Sequence, residues 1–147
     1  MLALCCDYRL QTTKGTFGLN EVALGITVPK YWGERFLEVC NKSADGERLL
    51  QLGTLLMPKE ALRVGLIDEL CDDRQSLEKR AHEVATKMAS VPMNARAATK
   101  RNVRGNLADA WAAYGAQEAA EGWQMLEKPE IVAQLRGVLE SLRKSKL

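Results

Sequence analysis

In Phe17-Gly18-Leu19-Asn20-Glu21-Val22-Ala23-Leu24-Gly25-Ile26, one side chain is placed to do proton chemistry. Glu21 stands among Phe17, Leu19, Val22, Leu24 and Ile26, with almost nothing nearby to pair with its charge. Taking an unpaired carboxylate out of water is costly, so its pKa is expected to rise toward neutrality. A carboxyl poised there works as a general base near pH 7. The glycine before the apolar run and the Leu-Gly pair within it read as a buried corner. The alternative is a glutamate that points outward from a loop.

Elements to hold this corner are legible on both sides of it. Residues 2–10 read as a strand, apolar at first as if covered on both faces. A polar turn from Gln11 to Gly15 leads to a second short strand at Thr16–Gly18. Past Pro29, the four-residue spacing of Trp32, Phe36 and Cys40 predicts a helix over 31–40. Ser43 suits a helix cap, with Asp45 and Glu47 in the first turn where the dipole favours them. Pro58 opens a short helix that Gly65 closes, and residues 66–70 read as a strand. Leu77, Ala81, Val84, Ala85 and Met88 form a helical stripe ending near Pro92. Asn106 with Asp109 marks the start of another helix, carrying Leu107, Trp111 and Tyr114. Pro129 opens the last one, with Ile131, Leu135, Val138, Leu139 and Leu142 on one face. A boundary near Ser90–Asn94 divides a strand-bearing region over residues 1–90 from a helical region over residues 91–147.

Composition narrows the classes. A length of 147 residues suits one domain, and 46% hydrophobic with 27% charged residues is ordinary for a globular chain. A net charge of +2 argues against a nucleic-acid partner, and no apolar run reaches the ~18 residues of a membrane span. Cys5, Cys6, Cys40 and Cys71 include no Cys-x-x-Cys pair, so free thiols are expected and no metal site. His82 is the only histidine and lies in a polar helical pattern, which removes a Ser-His-Asp triad built on any other residue.

The blocks around the corner resemble the crotonase superfamily, also called the enoyl-CoA hydratase/isomerase family. Leu2-Ala3-Leu4-Cys5-Cys6-Asp7-Tyr8-Arg9 is similar to that family's Leu-Ala-x-x-Cys-Asp-x-Arg. Phe17 to Gly25 follows its Phe-Gly-x-x-Glu-x-x-Leu-Gly, and Ala61 to Asp68 its Ala-x-x-x-Gly-Leu-Val-Asp. The Gly-Leu-Asn-Glu corner resembles most the mitochondrial-type Δ3,Δ2-enoyl-CoA isomerases. The resemblance implies an α/β fold, the C-terminal part of a ββα spiral followed by a helical trimerisation region, mostly helical in this chain.

It also implies a reaction. Glu21 would take a proton from C2 of a fatty acyl-CoA and return it to C4, moving a double bond from C3 to C2. Asn20 would lie at the substrate. Coenzyme A is part of the substrate, and no separate cofactor is implied. The family's oxyanion hole draws on a glycine-rich turn just before the Leu-Ala block, and this chain starts at Met1, past it. It is therefore expected to be the C-terminal half, with little or no activity by itself. Hydratases of the family carry a second Glu where this chain has Met1; hydration is disfavoured if the full-length protein carries Met1 there, and the point is void if Met1 is only an initiator at an artificial boundary. Enoyl-CoA hydratase and an inactive fragment serving as an assembly partner are the alternatives.

Charge and the chain end add two more expectations. Arg96, Lys100 and Arg104 recur at four-residue spacing, a solvated basic face or a set of contacts for the phosphates of coenzyme A. The chain ends Ser145-Lys146-Leu147, a peroxisomal address read by an import receptor. Peroxisomal location is expected, with the mitochondrion as the alternative.

Overall fold

The computed structural model describes residues 1–144, so the Ser145-Lys146-Leu147 tail lies outside the described residues. The core forms where helix ends and turns bring Leu4, Leu19, Phe36, Ala61, Val64, Leu66 and Ile67 together, each almost wholly buried. Phe36 is the largest of the fully buried side chains, at 1% exposure. It comes from α2 (Lys30–Val39), which packs on α3 (Ser43–Leu52). Ser43 is the first residue of α3 rather than its cap. Lys42 holds the cap position without a side-chain hydrogen bond.

Residues 2–10 do not form the strand expected of them. Leu2–Cys5 is a single helical turn, α1, closed by Leu4 N–H to Met1 O at 2.9 Å and Cys6 N–H to Ala3 O at 3.1 Å. Only Leu4 is buried there, and Leu2 is 87% exposed. A strand needs a partner for its backbone donors and acceptors, and the partner present is short. β1 (Leu10–Thr12) pairs in parallel with β2 (Glu69–Cys71), Leu10 opposite Glu69 and Thr12 opposite Cys71. Upstream of Arg9 no such ladder exists among the described residues, so Leu2–Cys5, made of good helix formers, turns locally instead.

The strand expected at 66–70 is displaced for a related reason. α4 (Pro58–Arg63) opens on Pro58, and the turn after it is closed by Gly65 at φ +86°. The Ala61 carbonyl then accepts from both Leu66 N–H, at 2.9 Å, and Ile67 N–H, at 3.4 Å. Those amides are spent on capping, and the strand starts only at residue 69, three residues later than expected. Thr16–Gly18 is reduced to one antiparallel bridge, Phe17 with Leu56.

α5 (Arg74–Ala89) begins with a capping box. Asp73 accepts from Ser76 N–H at 2.8 Å while Ser76 Oγ accepts from Asp73 N–H at 3.1 Å. Of its stripe, Leu77, Ala81, Val84 and Met88 are half-buried and Ala85 is exposed, and α5 packs on both strands. His82 is exposed on its outer side. The helix expected to start at Asn106 starts much earlier, as α6 (Met93–Leu126). The alanine-rich sequence before Asn106 carries enough helix propensity to run through it. α7 (Pro129–Lys144) follows and folds back toward the corner.

Removing the Phe36 ring should open a cavity that the packed neighbours cannot refill. Phe36→Ala is expected to lower the unfolding free energy by about 3–5 kcal/mol in urea titration, against a loss under about 0.5 kcal/mol for the exposed His82→Ala.

Candidate active site

The corner is built from its buried end outward. Leu19 is 5% exposed in the core, which forces its neighbours Asn20 and Glu21 to the core's rim. Glu21 opens a one-turn 3₁₀ segment, Val22–Leu24, and its carbonyl accepts from Leu24 N–H and Ile26 N–H, both at 2.9 Å. Gly53, the α3 C-cap at φ +58°, backs this turn. A Cβ there would stand 2.6 Å from the Ala23 nitrogen, so only glycine permits the approach. From the other side α7 lays Gln134 against Gly25, and Thr27 N–H donates to the Met125 sulfur at 3.3 Å.

Within this frame Glu21 is half-buried, and its Oε2 is buried with no hydrogen-bond partner among the described residues. A desolvated acceptor without a donor is an unfavourable arrangement that folded proteins mostly avoid. The half-buried Asn20 likewise makes no side-chain hydrogen bond among the described residues. Both polar groups are uncommitted. Beyond the corner a cleft of about 540 Å³ opens between Thr27–Lys30 and α6, lined by Val28, Pro29, Tyr114, Glu118 and Met125 among others. Glu121 in its wall accepts from the Tyr114 hydroxyl and from Gln117 at 2.7 Å. That bond to Glu121 pushes the Tyr114 phenol up to about 12.

The basic face of α6 sits elsewhere. Arg96, Lys100 and Arg104 converge on the Asp7 carboxylate at 2.6, 2.8 and 2.9 Å. Lys100 above all holds the Asp7 carboxyl below its ordinary value of 3.8. At ~1.5 Å per residue, Arg104 lies roughly 30 Å along α6 from Met125, the residue that reaches Thr27. The structure thus brings Asn20 and Glu21 together at the corner and gathers the three cations on Asp7. Asp7 as their meeting point was not read from the sequence. Its position in the motif is visible there, but a partner some ninety residues away is not.

Sequence reading also missed Arg35, 7% exposed, whose Nε donates to Leu4 O at 2.8 Å. It missed as well the ring cluster in which Tyr31 stacks on Trp111 and meets Tyr114 edge-on. No group of three or more His, Cys, Asp or Glu able to hold a metal occurs among the described residues. No helix among them is long and apolar enough to cross a membrane.

Residues 1–143 match the model of the enoyl-CoA hydratase/isomerase family. The chain belongs to that family. Mouse mitochondrial enoyl-CoA delta isomerase 1 is 36% identical over 148 residues, 99% of this chain and 50% of that protein. The human protein of the same name is 33% identical, with 99% and 48% covered. A short-chain-enoyl-CoA hydratase from Clostridioides difficile is 33% identical over 87 residues, 57% of this chain and 56% of that protein. Among solved structures, human mitochondrial delta3-delta2-enoyl-CoA isomerase superposes with a TM-score of 0.92 at 30% identity, covering 99% of this chain and 57% of the other. The fold is therefore that of the C-terminal portion of a crotonase-type protein, mostly helical with few strands. This chain spans about half the length of the mouse and human relatives.

The depressed Asp7 pKa has a consequence for acid stability. A carboxyl lowered on folding adds stability that is present above the unfolded value and lost as pH falls through the folded one. Thermal unfolding followed from pH 7 down to pH 2 should show a loss below about 3.8 that Asp7→Asn lacks, the variant starting from a lower and flatter baseline.

Proposed function

We propose that this chain carries the proton-transfer site of a Δ3,Δ2-enoyl-CoA isomerase, with Glu21 as its single base. The observation that carries the reading is the buried oxygen of Glu21, without a hydrogen-bond partner among the described residues, at the position of the family's catalytic glutamate. Glu21 takes a proton from C2 of a 3-enoyl-CoA, made acidic by the thioester. The electron pair delocalises over C2, C3, C4 and the carbonyl oxygen as a dienolate. The same carboxylic acid then protonates C4, leaving the double bond between C2 and C3 and the carboxylate regenerated. Asn20, uncommitted beside the base, orients the substrate. The donors for the dienolate oxygen come, in this reading, from a glycine-rich turn of the whole protein. Loss of one such donor costs ~10²–10³ in rate.

The cleft beside Thr27–Lys30 offers room for an acyl chain. Arg96, Lys100 and Arg104 keep two positive charges beyond what Asp7 neutralises and are the proposed contacts for coenzyme A phosphates. Coenzyme A enters as part of the substrate, and the reaction as written needs no separate cofactor. Trimeric self-association completes the proposal, through the helical region of residues 91–147 that follows the spiral core of residues 1–90. Names of relatives favour the mitochondrion, and the Ser145-Lys146-Leu147 tail supports a peroxisomal address read by its receptor. Hydration is the second reading, favoured by the hydratase among the relatives. A non-catalytic role as assembly partner is the third.

A fusion of this chain behind the N-terminal half of the mouse isomerase tests the three together. With 3-enoyl-CoA it should form 2-enoyl-CoA, and Glu21→Gln should cut turnover by about 10²–10⁴-fold while acyl-CoA binding persists. Comparable turnover in the Gln form would remove Glu21 from the chemistry. A 3-hydroxyacyl-CoA product from 2-enoyl-CoA would favour hydration, and binding without either product the assembly role.

A further inference from the structure

α6 is 34 residues long, yet the only residue it buries fully is Gly105. Its half-buried apolar side chains, Leu107, Trp111, Tyr114, Met125 and Leu126, start at Leu107, while residues 93–103 are all exposed, so its first turns must be held otherwise than by apolar packing. Contacts fix the helix along its length. Trp111 and Tyr114 receive Tyr31 in its middle, and Met125 receives the Thr27 amide near its end. At its start, Asp7 gathers Arg96, Lys100 and Arg104. Asp7 is 24% exposed and its three partners 31–47%, so solvent and salt reach the cluster. Without Asp7, the cations at i, i+4 and i+8 would form a self-repelling row.

We propose that Asp7 with Arg96, Lys100 and Arg104 is an electrostatic latch that docks the α6–α7 arm, and through α7 the cover over the Glu21 corner. α6 passes into α7 through Glu127 and Lys128, and α7 packs on the 3₁₀ turn that Glu21 opens. Loosening the first turns of α6 leaves the arm held by the Tyr31 rings and the Thr27–Met125 contact alone, so Gln134 and Met125 leave the corner more often. A small polyanion or high salt competes with Asp7 for the same cations and opens the latch. This holds whatever reaction the corner performs, and its test reads backbone exchange rather than turnover.

Amide hydrogen exchange on the full chain tests it. Raising sodium chloride from about 0.05 M to about 0.5 M shortens the screening length to a few ångströms, and should speed exchange in 93–104 and 129–144 by about threefold. Peptides of the core, 58–71, should be unchanged. At low salt, Asp7→Asn should speed the same two regions about tenfold, the combined effect of several exposed ion pairs, and salt should then slow exchange there instead of speeding it, because it screens the repulsion left among the three cations. If Asp7→Asn fails to fold, Arg104→Gln and the wild-type salt series decide the matter. Exchange in α6 and α7 that ignores both salt and Arg104→Gln would overturn the latch. So would acceleration spread equally into 58–71, which is global destabilisation.

Discussion

Leu19 is the constraint on which the site depends. Its burial in the cluster of Leu4, Phe36, Ala61, Val64, Leu66 and Ile67 fixes the backbone one residue before Asn20 and two before Glu21. Burial of one such side chain contributes about 1.5–3 kcal/mol, enough to hold a polar pair at the rim of the core against its wish for water. Gly53 closes the corner from α3 and α7 closes it from outside. What results is a carboxylate whose position is set by apolar packing and whose second oxygen has no donor among the described residues. A base needs that condition, because a donor already in place would stabilise the ionised form and weaken its pull on a carbon-bound proton.

The Leu-Ala-x-x-Cys-Asp-x-Arg block plays a different role. Three consecutive residues tie three different elements together. Asp7 holds the start of α6. Tyr8 donates its hydroxyl to Glu69 at 2.9 Å, and Glu69 also receives Arg80 from α5 at 2.8 Å. Arg80 before Tyr8 keeps the Glu69 carboxyl below its usual range. Arg9 pairs with Asp68 at 3.0 Å and donates to Gly65 O at 3.2 Å, while its own amide bonds the other Asp68 oxygen at 2.7 Å. None of these groups touches Glu21. The block is a polar junction that registers the parallel strand pair with the helices around it, and its charges are spent on structure.

Sequence reading reached the portions of the fold whose causes are local. Pro58 at a helix start, Gly65 after its end, the α5 stripe and the Pro129 start all depend on residues within a few positions, and all appear as expected. At the Glu21 corner the anomalous carboxylate in an apolar run was legible but the burial was not: of that run only Leu19 is buried, and Val22 is 41% exposed because the one-turn segment lies at the rim of the core. Residues 2–10 were misread because apolar character alone does not say whether a strand partner exists, and β2 offers one only to Leu10–Thr12. The continuity of α6 through Asn106 was hidden by a capping pattern that alanine-rich flanks override. Arg96, Lys100 and Arg104 were correctly placed on one helix face, but Asp7 opposite them is set by tertiary packing that no local pattern encodes.

The most direct test of a single base at Glu21 follows a hydron rather than a rate. The fused protein would be given a 3-enoyl-CoA bearing deuterium at C2, and the 2-enoyl-CoA product examined by NMR. One carboxyl that takes the C2 hydron and returns it at the other end of the dienolate leaves some of the label at C4. Product with deuterium nowhere at C4, formed as fast when Glu21 is Gln, would contradict a single base at Glu21.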